Sequence, residues 1–224
     1  MEHDLRIAQL NFIGRILASY THELKNHLAV IKESAGLQHD IISFGGKKVK
    51  LEPAEMLKFL TSIDDEILKT LRLTTFLNRY AHRNDTERSV FSVNEAVEEL
   101  VALTARLGRL KRITLKAEYD ENVPMTYSDP AKLELLLFCL IDEEMKTLDS
   151  KSVVTVRTAL SGNAITVSVL SRGERAADPA PGGTCTGDLV DVLLTDLGGA
   201  MSRTSEDGGT TISLPVTAAD ETPA

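Results

Sequence analysis

Residues 5–43, LRIAQLNFIGRILASYTHELKNHLAVIKESAGLQHDIIS, decide how the rest of the chain is read. Apolar side chains recur at Leu10, Ile13, Leu17, Leu24, Leu28, Ile31 and Ala35, in steps of three, four and seven. That spacing predicts one long helix with a narrow apolar stripe. Gly45-Gly46 ends the pattern, and Lys47-Lys48-Val49-Lys50 reads as an exposed connector. Glu52-Pro53 suits the first turn of a second helix. It carries Met56, Leu57, Leu60, Ile63, Ile67, Leu71, Leu73 and Phe76 and runs out near Ala81–Asp85. Two long helices with a short loop make an antiparallel hairpin. A hairpin alone cannot cover a stripe on both helices, whereas two copies paired as a four-helix bundle can, so a homodimer is expected.

Working outward, the polar stretch Asp85–Phe91 marks a boundary, giving domains over residues 1–86 and 87–224. Ser92-Val93-Asn94-Glu95 has the cap-then-acid form of a helix start and leads into Glu95–Leu107. Ile113–Tyr119 alternates like a strand, and Asp129 to Leu148 is a strongly apolar helix. Val153–Ala159 and Ala164–Leu170 read as strands joined at Ser161-Gly162-Asn163. Ala176–Gly187 is a loop rich in proline and glycine, and Leu189–Leu197 is helical until Gly198-Gly199 stops it. Met201–Thr204 and Thr210–Leu214 close the chain as paired strands. The fold class is therefore α+β, a helical hairpin followed by a layered α/β domain.

Composition narrows the function. The 224 residues are 42% apolar and 26% charged, the balance of an ordinary globular chain. A net charge of -8 argues against nucleic acid, whose phosphates require a basic face. No apolar run approaches the roughly 20 residues of a membrane span, and the opening residues lack a signal-peptide pattern, so a cytoplasmic protein without membrane insertion is expected. Cys139 and Cys185 lie in apolar or small-residue surroundings, which offers neither a disulfide framework nor a zinc ligand set. The histidines show no metal spacing, and no metal site is expected. Glu143-Glu144 and Asp64-Asp65-Glu66 read as exposed helix faces.

The candidate for chemistry is His22-Glu23-Leu24-Lys25-Asn26-His27-Leu28 on the first helix. His22 stands roughly 140–200° around the helix from Leu17 and Leu24, so its ring should face water. A neutral imidazole is a good nucleophile near neutral pH, and an adjacent carboxylate can hold one ring nitrogen as N–H while the other attacks. Glu23 could supply that carboxylate. Asn26, one turn on, shares the face of His22 and could orient a water or an acyl phosphate.

This heptad resembles the phosphoacceptor box of sensor histidine kinases, commonly H-E-[LI]-[KR]-[NT]-P-L, with His27 in place of the proline. The second half is similar to the same family's ATPase domain. Phe91–Glu95 resembles its entry helix, Ser128-Asp129-Pro130-Ala131-Lys132-Leu133 the D-x-x-[RK]-L lead, and Gly209–Pro215 the closing G-T-x-[FI]-x-[LIF]-P. The resemblance runs from about Ile7 to Pro215. It implies a dimeric bundle carrying His22 as the phosphorylated residue, Glu23 as its acid and Asn26 as a support for partner dephosphorylation, followed by an α/β sandwich.

The departures concern the nucleotide. Cys139 and Glu143 stand where the family has two asparagines, the second a magnesium ligand. Ser171 replaces the aspartate that accepts from adenine; Gly173 remains, but Arg175 replaces the second glycine of that box. In the second glycine box, near Gly182–Gly187, Asp188 replaces an apolar residue. Each charge-assisted contact is worth roughly 1.5–3 kcal/mol, so ATP binding is not expected. The expectation is a histidine phosphotransferase passing phosphoryl groups between His22 and receiver-domain aspartates of response regulators, with the receiver's own magnesium and no cofactor of its own. The alternatives are a histidine kinase core with weak or unusual ATP binding and a non-catalytic dimeric scaffold that binds a response regulator.

Overall fold

The computed structural model describes residues 2–44, 52–177, 185–204 and 209–217. The connector Gly45–Lys50 and the Gly182-Gly183 part of the second glycine box lie outside them. Helix α1 (Glu2–Phe44) is continuous through the box, and α2 (Pro53–His82) returns beside it. Glu52 is the N-cap of α2 and Pro53 its first residue, where the missing N–H is no loss. The two helices meet through Tyr20 and Thr74, whose hydroxyls lie 3.0 Å apart, and through His27 Nδ1 and Glu66 Oε2 at 2.5 Å.

The remaining elements are β1 (Ser89–Ser92), α3 (Val93–Leu110), β2 (Thr114–Glu118), β3 (Met125–Ser128), α4 (Pro130–Thr147), β4 (Val153–Ser161), β5 (Ala164–Arg172), α5 (Gly187–Asp196), β6 (Ala200–Thr204) and β7 (Gly209–Pro215). They form a five-stranded sheet of order β2-β4-β5-β7-β6, parallel only between β2 and β4, and a two-stranded sheet of β1 and β3. Alternation sets the packed face: Val154 and Val156 of β4, Ile165, Val167 and Val169 of β5, and Ile212 of β7 are fully buried. Helices α3, α4 and α5 cover that face.

The helix ends follow from local chemistry. The Ser92 hydroxyl caps α3 by accepting from Glu95 N–H (3.3 Å), and the Asp129 carboxylate caps α4 by accepting from Lys132 N–H (2.9 Å). Helix α5 stops at Gly198, which takes φ +63 while the Gly199 N–H returns to the Leu194 carbonyl at 2.8 Å. A left-handed residue with that bond is the geometry glycine favours at a helix end.

One result differs from the sequence reading. Of the apolar stripe, Leu10, Leu17 and Leu28 remain exposed, at 69%, 47% and 52%. The apolar residues of α1 that the chain itself buries are Ala8, Phe12 and Ile16, one face around, and they pack with Phe76 and Tyr80 of α2 against the α/β layer. Phe12 sits 4.5 Å centroid to centroid from Phe138 of α4 and meets Tyr80 edge-on at 5.4 Å. The core therefore runs unbroken from the base of the hairpin into the second half of the chain.

Charge reinforces that joint. Arg15 of α1 lies over the Phe138 ring and donates to the buried Asp142 carboxylate at 2.8 Å. Arg83, just past α2, donates to Glu99 of α3 at 2.8 and 3.0 Å. Its Nε is also 2.9 Å from Glu134 of α4, though its N–H is aimed at Glu99. Glu99 and Glu134 are both buried. Among the described residues neither Glu134 oxygen receives a hydrogen bond. Burial pushes its carboxyl well above the ordinary range, with Arg83 pulling the other way and Glu99 adding to the rise. No described helix is long and apolar enough to cross a membrane.

Candidate functional site

His22 projects from the middle of α1 and is exposed, as its angular position requires. Asn26, one turn further, is exposed on the same face. Glu23 points elsewhere: its carboxylate is 2.5 Å from the Arg109 guanidinium of α3. Adjacent residues on a helix do not face one another, so the packed second half, and not the imidazole, takes this acid. Glu23 and Arg109 line a cleft of about 540 Å³ between hairpin and sandwich, together with His27, Arg72, Phe76 and Tyr119. Arg72 crosses the same gap to Glu98 at 2.5 Å.

His27, at the place of the family's proline, does structural work. It and Glu66 are mostly buried, and Lys69 donates to the other Glu66 oxygen at 2.6 Å. Lys69 first, and His27 second, hold the Glu66 carboxyl below the ordinary range. Glu66 is thus a cross-hairpin pin and not part of an open acidic face.

A second cavity of about 500 Å³ is walled by α4, the start of α5, β6 and β7, and some of the positions aligned with the nucleotide boxes line it. Cys139 and Glu143 line it from α4. Ser171 ends the buried run of β5, and Gly173 follows at φ +147, where any Cβ would overlap Ser152. Gly173 is needed there for that close approach. Arg175 enters the cavity wall, donating to Glu144 at 3.0 Å, to Ser171 at 3.4 Å and to the Thr147 hydroxyl. Glu144 therefore is not a free helix-face acid.

The cysteines correct the sequence reading. Their Cα atoms are 5.6 Å apart and their sulfurs are bonded, joining Cys139 of α4 to Cys185 before α5. A separation of 46 residues carried no spacing signal; only the return of α5 against α4 brings them together.

The side chains at the positions that the resemblance aligns with the nucleotide boxes have other partners or other chemistry. The place aligned with the adenine acceptor holds a hydroxyl already engaged by Arg175, the first asparagine place holds a bonded sulfur, and the second, the magnesium ligand by the resemblance, an exposed carboxylate. Among the described residues no cluster of histidine, cysteine or acid groups could hold a metal ion.

No family model matches the chain. In sequence it is similar to the C4-dicarboxylate transport sensor protein DctS of Rhodobacter capsulatus, 23% identical over 181 residues, which cover 77% of this chain and 26% of that protein. The chain thus spans about a quarter of that relative's length. Among solved structures, full-length ShkA in complex with AMPPNP superposes with a TM-score of 0.50 at 16% identity, covering 84% of this chain and 46% of that one. The fold is that of the histidine kinases. The histidine kinase AdeS of Acinetobacter baumannii matches at a TM-score of 0.46 and 13% identity, over 88% of this chain and 98% of that one. A histidine kinase from Burkholderia phymatum matches at 0.48 and 12%, over 92% and 98%. Within that fold the chain has both the two-helix hairpin and the five-stranded α/β layer.

Proposed function

We propose that this chain is a two-component signalling protein that works as a histidine phosphotransferase, exchanging phosphoryl groups between His22 and an aspartate of a response-regulator receiver domain. The observation that carries the reading is the wall of the α4–α5 cavity. Arg175 and the Cys139–Cys185 bridge stand at positions that the resemblance aligns with the nucleotide boxes. With the kinase step unsupported, the exposed imidazole on α1 remains as the reactive group.

The chemistry asks little of this chain. In an acyl phosphate the phosphorus is already activated, and the receiver supplies the magnesium that balances charge on the transferring oxygens. The hairpin must present one neutral ring nitrogen in line with the P–O bond. The nitrogen attacks phosphorus, the aspartate carboxylate leaves, and a phosphoramidate forms on His22. The Asn26 amide, on the same exposed face, orients the incoming phosphoryl oxygens. We assign the dimer to the exposed stripe of Leu10, Leu17 and Leu28 on α1 and Leu60, Leu68 and Leu71 on α2.

The kinase reading keeps one support, since a cavity of about 500 Å³ persists where the family binds nucleotide. Calorimetric titration with magnesium-ATP separates the two. No binding below millimolar concentration is expected, and micromolar affinity would move the reading to a kinase core.

A further inference from the structure

The bond between Cys139 and Cys185 joins two walls of the α4–α5 cavity, and the two sulfurs differ in access. Cys139 is 4% exposed within the apolar run of α4. Cys185 is only half-buried and, like Cys139, borders the cavity. We propose that this pair is a reversible dithiol–disulfide centre, operated by small thiols and small disulfides of the glutathione class that enter through the cavity.

Three observations support it. The Cα separation of 5.6 Å lies inside the range that a disulfide accepts without backbone movement, so α4 and α5 need not shift to make or break the bond. Cys185 immediately precedes Thr186, the N-cap of α5, and borders the cavity together with Thr186 and Gly187, so an incoming thiol meets it where the chain enters the helix. The cavity, at about 500 Å³, is large enough for a tripeptide-sized thiol, and Arg203 on its wall offers a guanidinium to the carboxylate such a thiol carries.

The exchange balances as follows. A small thiolate attacks Cys185 Sγ, the accessible sulfur; the protein S–S bond breaks and Cys139 leaves as a thiolate that takes up a proton. A second thiolate attacks the outer sulfur of the mixed disulfide, releasing the small disulfide and the Cys185 thiolate. Overall, two small thiols become one small disulfide while the protein gains two hydrogens; oxidation runs the same steps in reverse. The bond closes a loop containing β4, β5 and the approach to α5, so the oxidised form is the more stable.

The test uses the full chain equilibrated with reduced or oxidised glutathione, then alkylated under denaturing conditions and weighed by mass spectrometry. The oxidised sample should carry no alkylated cysteine and the reduced sample two, with Tm lower by about 6–12 °C on reduction. Cys185→Ser, at the more exposed position, should show no redox-dependent Tm. Cys139→Ser should trap a glutathione adduct on Cys185, whereas Cys185→Ser should trap little on Cys139; if Cys139→Ser does not fold, the Cys185→Ser arm stands alone. Two alkylated cysteines after oxidised glutathione, equal Tm in both states, ready glutathionylation of Cys139, or a bond between copies would each overturn the proposal.

Discussion

At the residue scale, the buried carboxyls at the joint make the sharpest demands. Arg83 is the cation shared by Glu99 and Glu134, so Arg83→Ala should destabilise the fold by about 3–5 kcal/mol, read from denaturant unfolding. Glu134 behaves differently. Its folded carboxyl holds a proton above the ordinary value of 4.5, so the folded chain binds a proton that the unfolded chain releases. The stability that follows is full below that ordinary value and is lost as pH rises through the folded one. Glu134→Gln cannot release the proton, and its Tm should fall less than the parent's as pH rises above the ordinary carboxylate range. Parallel Tm-against-pH curves for the two proteins would show Glu134 to be ionised in the fold. None of this was legible beforehand, because Glu134 sits inside the apolar run Leu133–Leu140 with no local mark of its partner. His22 was legible, since its angle from Leu17 and Leu24 alone turns it to water. The partner of Glu23 was not, because Arg109 reaches it only through packing of α3 on the hairpin.

At the scale of elements, most helices and strands followed from periodicity, caps and turn residues. Ser92, Asp129 and Gly198 act in the structure as their local chemistry requires. The small sheet of β1 and β3 was missed, since four residues are too few for alternation to register. Helix α1 is unbroken through His27, which bonds across to α2, so the departure from the family's proline has a structural consequence. Restoring the resemblance with His27→Pro should cost about 3 kcal/mol, because it removes a helical hydrogen bond and the Glu66 contact together. Thermal unfolding checks this, and an unchanged Tm would mean that α1 accommodates a kink there without loss. At the same scale the Glu66 pin should weaken under acid, since a lowered carboxyl stabilises the fold above its unfolded value and stops doing so as pH falls through the folded one.

For the whole molecule, the sequence predicted two units with a stripe awaiting a second copy, and the structure adds that the two units share a core. Phe12, Ile16, Phe76 and Tyr80 were counted with the hairpin or passed over, because a face that packs against a later domain leaves no local signature. Part of the stripe, including Leu10, Leu17 and Leu28, stays exposed, and a second copy is the cover we assign to it. Multi-angle light scattering at micromolar concentration should give twice the chain mass, and Leu28→Glu with Ile67→Glu should return it to the chain mass with the far-ultraviolet spectrum retained. A parent chain that scatters as a monomer would remove the bundle. The central claim is phosphoryl exchange at His22 without ATP, and it is tested most directly by mixing the chain with a receiver domain labelled on its aspartate. The expected result is label on the chain that is stable in base, labile in acid and absent from His22→Ala. Labelling from ATP alone, or label that persists in His22→Ala, would contradict it.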